Sequence, residues 1–267
     1  MNWMKYRYLY FVISALAIGA GIFGYLKWGL KFGIDFTGGV VAEYKFQSGE
    51  NKIFKFGPLS QEESDKIRLD FKSQGVEEVR YESVGPSIGP DLIKKTLYAM
   101  AIATTLILFW IAIQFKSFKF GVSAILATLH DTLVLLGSFA LLGHFFGAEI
   151  DFLFVTAMLT ILSFSVHDTI VVYDRIRETK KKVGGEVVDI ANRAISETMV
   201  RSLNNSFTII FMLIALILLG GETIKWFAVA LLIGTVSGTY SSPFVAVPLL
   251  VSWDNLQKKL KKGLTKD

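Results

Sequence analysis

The sequence predicts an α-helical polytopic membrane protein with six transmembrane helices and a small α+β domain between helices 1 and 2. Three observations lead to this fold class. Of the 267 residues, 52% are hydrophobic and only 19% are charged, and the mean hydropathy is +0.48. Six long stretches carry almost no charge, and one polar region separates the first stretch from the second. Soluble domains are about 25% charged, so the composition excludes an ordinary soluble enzyme.

Each of the six stretches is long enough to cross a bilayer, which takes about 18 or more apolar residues. The last of them has 28 residues, so it must tilt, kink or extend past the surface, and Pro243 and Pro248 are the predicted kink points. The first has 19 residues, which is long for the core of a cleaved signal peptide, so we expect an uncleaved anchor. The stretches are residues 8–26, 96–115, 120–148, 152–173, 202–221 and 226–253.

The distribution of lysine and arginine predicts the orientation. Of the 28 basic residues, 16 fall in segments on the same side as both termini, whereas the short turns on the other side carry one. Positive charges favour the cytoplasmic side. We therefore expect a multi-pass protein of the bacterial inner membrane with both termini in the cytoplasm. The net charge is +5, and most of the basic residues lie in the segments on the side of the termini. This placement fits membrane orientation, so no nucleic acid partner is predicted.

The domain boundaries follow from the same pattern. We expect the amino terminus and the first helix at residues 1–28, and a periplasmic α+β domain at 29–92. Helices 2–6 occupy 93–253, and a basic cytoplasmic tail follows at 254–267. An amphipathic inner loop is expected at 174–201, where residues 187, 190, 191, 194 and 195 form one apolar stripe. This stripe fits either a helix lying on the membrane surface or an ordinary connecting helix.

The periplasmic domain is predicted from local signals. A strand-favouring run at residues 40–46 follows two glycines, and Ser60 with Glu63 forms a capping box for a helix of about 14 residues that Gly75 ends. A second strand is expected at 76–84. The glycine- and proline-rich residues 84–90 lead back to the membrane as a hinge or a simple linker.

Several kinds of site are not indicated. Cysteine is absent, so disulfides and thiolate metal sites are excluded. The sequence has no phosphate-binding loop and no Gly-x-Gly-x-x-Gly motif that follows a predicted strand, and its three histidines lack His-x3-His spacing. We therefore predict no enzyme activity, no cofactor and no metal.

Two acids lie inside the predicted spans, in the repeated tripeptide His-Asp-Thr. Asp131 follows His130 in span three, and Asp168 follows His167 in span four. Ionisable residues within spans are costly and usually functional. A metal site is disfavoured because adjacent residues on a helix point about 100° apart.

Proton handling fits these acids better than metal binding does. Asp168 lies roughly 9 Å above the inner end of its span, and Arg201 at the start of span five is the best-placed cation for it. Asn205 stands one turn above Arg201. A structural hydrogen bond or ion pair remains the alternative for Asp168. In span six, Gly234, Gly238 and Ser242 form a small-residue face that we expect to serve helix packing.

Four motifs resemble the SecD/SecF family of protein-export membrane proteins. Residues 32–39 read Phe-Gly-Ile-Asp-Phe-Thr-Gly-Gly, and residues 84–89 read Val-Gly-Pro-Ser-Ile-Gly; both resemble segments flanking the outer domain in that family. Residues 167–178 and 234–242 resemble the SecF branch in particular, and the compact outer domain agrees with SecF rather than SecD. The family motif residues are Gly33, Asp35, Phe36, Gly38 and Gly39.

The resemblance implies an RND-like half that pairs with SecD and works with the SecYEG channel. It implies use of the proton-motive force to complete protein export, with Asp168 and Arg201 in the proton path and His167, Asn205, His130 and Asp131 as supporting polar residues. Implied partners also include SecA indirectly, YajC, unfolded preproteins and membrane lipids. A non-conducting scaffold of the translocase and an RND-like efflux half are the alternatives, although about 69 outer residues are few for holding an efflux substrate.

Overall fold

The computed structural model describes residues 1–85, 88–115 and 117–264. Pro86 and Ser87 of the predicted hinge, together with the basic residues Lys116 and Lys266, lie outside the described residues. A 3-10 turn at Trp3–Tyr6 precedes the first helix. In chain order the elements are α1 (Arg7–Trp28), α2 (Ile34–Thr37), β1 (Gly39–Lys45), β2 (Asn51–Phe56), α3 (Gln61–Ser73), β3 (Glu77–Val84), α4 (Ile88–Phe115), α5 (Phe118–Phe146), α6 (Phe152–Val183), α7 (Val187–Leu219), α8 (Glu222–Ser241) and α9 (Val247–Leu264).

Six helical segments within these ranges are long and apolar enough to cross a membrane. They are α1 with the preceding turn, α4, α5, α6, α7, and α8 continued into α9. The six-span fold class predicted from the sequence is thereby confirmed. The long apolar stretches decide this fold because a helix satisfies every backbone hydrogen bond without water.

The last span is interrupted as its prolines predicted. Between α8 and α9 the backbone forms a π-helical turn, Ser242–Ala246, with Pro243 in its first positions. Proline cannot donate a backbone hydrogen bond, so the regular ladder must change locally. The helix then continues to Leu264, so the described part of the predicted tail is a helical extension of the span.

The extramembrane domain between α1 and α4 contains an antiparallel sheet with strand order β2-β1-β3. The capping box at Ser60 and Glu63 begins α3 as predicted, and α3 ends at Ser73. Phe71 of α3 stacks on the buried Tyr44 of β1 with ring centroids 4.1 Å apart. The strand β2 was not predicted from the sequence, because its polar and apolar residues do not alternate regularly.

The segment that joins α6 to α7 is shorter than the predicted inner loop. Helix α6 runs to Val183 and α7 begins at Val187, so most of residues 174–201 belong to the two span helices. The apolar stripe on α7 is buried in a core cluster with the end of α6 and with α9. Of the two interpretations of this stripe, the structure supports the connecting helix, because protein rather than lipid covers the apolar face.

Glycines allow two pairs of helices to approach closely. A Cβ atom on Gly21 of α1 would lie 2.6 Å from the backbone of Gly137 in α5. A Cβ on Gly234 of α8 would lie 2.1 Å from the Ile161 side chain of α6. Small residues serve this role in membrane helices because they let backbones meet. The packing role predicted for the small-residue face of span six is therefore supported.

Candidate functional site

Helix α6 places the two side chains of its His-Asp pair in different environments. The Asp168 side chain is buried, with 3% of the residue exposed, whereas His167 is exposed. Consecutive residues on a helix diverge by about 100°, so this separation is the expected geometry. His167 makes no hydrogen bond to Asp168, although it lies close enough to act electrostatically on that carboxyl group.

The Asp168 carboxyl group is incompletely satisfied. Its Oδ2 atom is buried and has no hydrogen-bond partner among the described residues. Burying a charged oxygen without a partner costs several kcal/mol, about 2–7 even for a neutral polar group. A carboxyl group in this position is stabilised either by binding a proton or by the approach of a cation.

Arg201 of α7 is the predicted cation, and it stands near Asp168 without touching it. Its charge acts electrostatically on the Asp168 carboxyl. Within the described part of the chain, however, no carboxylate lies within the 4.0 Å of an ion pair with Arg201. Asn205, one turn further along α7, is exposed. The structure thus brings Asp168 and Arg201 into one region but does not pair them.

A water-accessible cavity of about 420 Å³ opens beside this region. It lies between the carboxyl-terminal half of α6 and the amino-terminal half of α7. Ile170 and Val171, within one turn of Asp168, are among its lining residues. Its remaining lining is largely charged, which favours water in the cavity. The cavity therefore gives solvent access close to Asp168; its charged and polar lining residues are Asp174, Arg175, Glu178, Glu197, Thr198 and Arg201.

Asp131, the second intramembrane acid, lies in a contrasting environment. It is completely buried, at 0% exposure, where α5, α6 and α8 meet. Ser165 of α6 donates to its Oδ2 at 2.5 Å, and two serines of α8 complete the cluster. Ser241 donates to Oδ2 at 2.6 Å, and Ser237 donates to Oδ1 at 2.6 Å. Asp131 thus links α5 to α6 and α8 through hydrogen bonds that both of its carboxylate oxygens accept.

His130 belongs to the same cluster. Its Nδ1 lies 3.0 Å from Oδ1 of Asp131, and its Nε2 is buried without a partner among the described residues. The Tyr240 ring lies 6.1 Å away, centroid to centroid. The structure therefore places the His130–Asp131 pair in a closed polar cluster of its own, separate from the cavity beside Arg201.

Two features of the site were not predicted from the sequence: the serines of this cluster and a polar stripe on α6. Ser237 and Ser241 are one helical turn apart, and this spacing was the available signal. The stripe on α6 has an exposed hydroxyl or imidazole on every turn of one face, a pattern that also repeats at helical spacing. Its members are Thr156, Thr160, Ser163 and His167.

The glycine motif after α1 fastens the sheet domain to the membrane helices. The Gly33 amide donates to the Ile150 carbonyl at 2.8 Å, just before α6. The Asp35 carboxylate accepts a hydrogen bond from the Phe152 amide at 2.8 Å, at the first residue of α6. Asp151 caps the same helix by accepting from the Phe154 amide at 2.7 Å. The motif therefore grips the amino end of the helix that carries Asp168.

The Asp151 carboxylate at this helix end is affected by burial and by a neighbouring charge. Burial raises the pKa of Asp151, and the nearby Asp35 charge raises that pKa further. Both groups occupy the positive end of the α6 dipole, which favours negative charge.

The other motif residues shape the turn into β1. Phe36 is buried in a core cluster with residues of α5 and α6. Gly38 and Gly39 have φ angles of +73° and +134°, which favour glycine. At Gly39, a Cβ atom would also lie 2.6 Å from the Phe56 carbonyl oxygen, so a larger residue would displace β2.

Comparisons with known proteins place these features among protein-export components. The family profile described as "Protein export membrane protein SecD/SecF, C-terminal" matches residues 65–256, and the profile "SecD/SecF GG Motif" matches residues 29–50. The protein translocase subunit SecF of Thermobaculum terrenum is 42% identical, over 94% of this chain and 93% of its own length. SecF of Sebaldella termitidis is 32% identical over 97% of this chain and 94% of its own length.

Among solved structures, the crystal structure of SecDF from Thermus thermophilus, described as a translocon-associated membrane protein, matches with a TM-score of 0.86 and 30% identity. The match covers 96% of this chain and 39% of that longer chain.

Proposed function

Because this chain belongs to the SecD/SecF family, and within it to the SecF translocase subunits, we propose that it uses the proton-motive force to drive protein export in complex with SecD. Its role in protein translocation follows from the family. The coupling to protons and the action at the SecYEG channel are the proposal. The observation that carries the coupling is the buried, unpartnered Asp168 Oδ2 within electrostatic reach of Arg201.

The proposed orientation places both termini in the cytoplasm and the sheet domain in the periplasm of a bacterial inner membrane. The Met4 amide contacts Asn192 of α7 at 2.8 Å, and Lys258 of α9 contacts Glu186 at 2.7 Å. Both ends of the chain therefore meet the α6–α7 turn, where basic residues concentrate. This clustering supports a cytoplasmic location for that end, because positive charge is retained there.

SecD is the proposed partner along the exposed faces of α6 and α7. The polar stripe on α6 faces outward at the level of the spans, and α7 exposes Asn204, Asn205 and Thr208 near Arg201. Polar side chains in membrane helices face protein or water rather than lipid. A second transmembrane half on this face would cover these groups and close the surroundings of Asp168.

Proton transfer would then alternate between two states of Asp168. In one state the carboxylate is charged and Arg201 approaches it; in the other it holds a proton and Arg201 withdraws to the cavity. Each proton that crosses about 100 mV releases about 2.3 kcal/mol, enough to bias a conformational equilibrium strongly. The cavity between α6 and α7 supplies the cytoplasmic entrance to this cycle.

The sheet domain would transmit the movement to the exported chain. Asp35 and Gly33 hold the domain to the amino end of α6, and Asp168 lies on the same helix. A shift of α6 would therefore move the base of the domain directly. We propose that the domain contacts unfolded preproteins emerging from SecYEG, to which SecA contributes indirectly. YajC and membrane lipids are further proposed partners, and no enzymatic step or cofactor is invoked.

The test is proton-driven export with substitutions at the two central residues. Asp168→Asn keeps the size of the side chain but cannot titrate, so membranes should contain the complex with SecD yet lose the response of export to an imposed proton gradient. Arg201→Met should show the same loss. The measurement is the rate of preprotein export into membrane vesicles, normalised to the amount of complex.

A scaffold gives the opposite result. If vesicles with Asp168→Asn kept the full response to the gradient, the chain would serve only in assembly. The function proposed here would then be wrong.

A further inference from the structure

Arg201 has a competing acid on its own helix. Glu197 precedes it by four residues on α7, and a glutamate four residues before a basic residue is the favourable orientation for an ion pair within a helix. Such a pair would neutralise Arg201. The proposed proton path requires the opposite, an Arg201 that is available to Asp168.

In the structure, Glu197 is held away from Arg201. Arg175 of α6 donates from Nε to Oε2 of Glu197 at 2.5 Å, and Arg193 donates from Nε to Oε1 at 3.0 Å. Both carboxylate oxygens are therefore engaged by other cations. All four residues lie within the described part of the chain, and there Arg201 takes part in no ion pair.

Arg175 is itself fixed in place. Its Nη1 donates to Oε2 of Glu178 at 2.6 Å, and Lys182 binds the other oxygen of Glu178 at 2.6 Å. A planar guanidinium can hold two carboxylates in this way because its donors point in fixed directions. Arg175 lies seven residues after Asp168, so the two side chains leave α6 on the same face about two turns apart.

We propose that Arg175 is a positioning residue that sequesters Glu197 and thereby keeps Arg201 available to Asp168. Without Arg175, Glu197 retains Arg193 on one side and Arg201 on the other, and helix geometry favours Arg201. This inference rests on the proposed proton path. It gives a role to the Asp-Arg-Ile-Arg-Glu run at residues 174–178, which the proposed function leaves without one.

The test is a pair of single substitutions and their combination, in the complete complex with SecD. Arg175→Gln should lower the gradient-driven export rate by about two- to thirtyfold, the range by which residues outside a site modulate coupling. Glu197→Gln alone removes the competitor for Arg201, so it should not reproduce the loss that Arg175→Gln causes. The double variant should recover the wild-type rate, because an uncharged side chain no longer competes for Arg201.

A purely structural ion pair behaves differently in the same experiment. Both single variants would then lose activity, and the double variant would recover none. That result, or a full rate for Arg175→Gln alone, would overturn the inference. Arg177→Gln is the matched control, because Arg177 contacts Asp174 and the Gln114 carbonyl rather than Glu197. Any loss that it causes should not be rescued by Glu197→Gln.

Two further measurements separate folding and the proton path from this inference. If Arg175→Gln reduces the amount of complex, Arg193→Gln replaces it in the test, because Arg193 also binds Glu197. Its loss of export rate should be smaller and should also be rescued by Glu197→Gln. A loss of export rate without rescue counts against the inference. Asp168→Asn in the same vesicles tests the proton path itself. If Asp168→Asn does not abolish the gradient response, the proposed function is refuted. If Asp168→Asn abolishes the response but Glu197→Gln does not rescue Arg175→Gln, only the role of Arg175 is refuted.

Discussion

The two intramembrane acids have the same neighbours in sequence and opposite surroundings in space. Asp131 and Asp168 both stand between a histidine and a threonine, within long apolar helices. Asp131 receives three serine hydroxyls and a histidine nitrogen. Asp168 has a buried oxygen with no partner among the described residues and a cavity one turn away. The tertiary surroundings, rather than the repeated tripeptide, therefore suggest a structural role for one acid and a proton-binding role for the other.

The largest expected effect on stability is the loss of Asp131. Asp131→Ala removes three hydrogen bonds between helices, each worth about 0.6–1.7 kcal/mol in membrane proteins, so we expect a loss of about 2–5 kcal/mol in the free energy of unfolding. Ser237→Ala removes one donor and leaves the carboxylate in place, so it should cost only one such bond. Denaturant unfolding of the purified protein in detergent measures both. If neither Asp131→Ala nor Ser237→Ala lowered the free energy of unfolding, the cluster would not hold the helices together.

Asp168 should have the smallest effect on stability. Asp168→Asn breaks no hydrogen bond described in the structure, so the free energy of unfolding should change by less than about 1 kcal/mol, as for other substitutions without a structural mechanism. The same unfolding measurement applies, with Asp131→Asn as the matched control. A loss for Asp168→Asn as large as that for Asp131→Asn would remove the contrast between the two acids.

Sequence patterns predicted those parts of the fold that depend on local properties. Span lengths follow from apolar runs, the start of α3 from Ser60 and Glu63, and the interruption of the last span from Pro243. The strand β2 could not be predicted, because its residues lack a regular alternation and its position depends on pairing with β1. Likewise, the length of α7 depends on core packing of its stripe beyond the predicted span.

The candidate site was predictable in its members but not in their relations. Asp168 and Arg201 stand out as ionisable groups at the spans, whatever the tertiary structure. The serine cluster around Asp131 depends on three helices meeting, which no single segment encodes. The hold of Arg175 on Glu197 likewise joins residues of two helices, whereas the sequence favours the pair of Glu197 with Arg201. These relations are what distinguish Asp131 from Asp168, and the sequence leaves them open.

The most direct test of that distinction is infrared difference spectroscopy of the complex reconstituted with SecD, recorded while the pH is lowered. We predict that lowering the pH produces carbonyl stretches of protonated carboxyl groups, and that one component band is missing in Asp168→Asn and present in Asp131→Asn. Loss of the band in Asp131→Asn and its persistence in Asp168→Asn would contradict the assignment of the proton to Asp168.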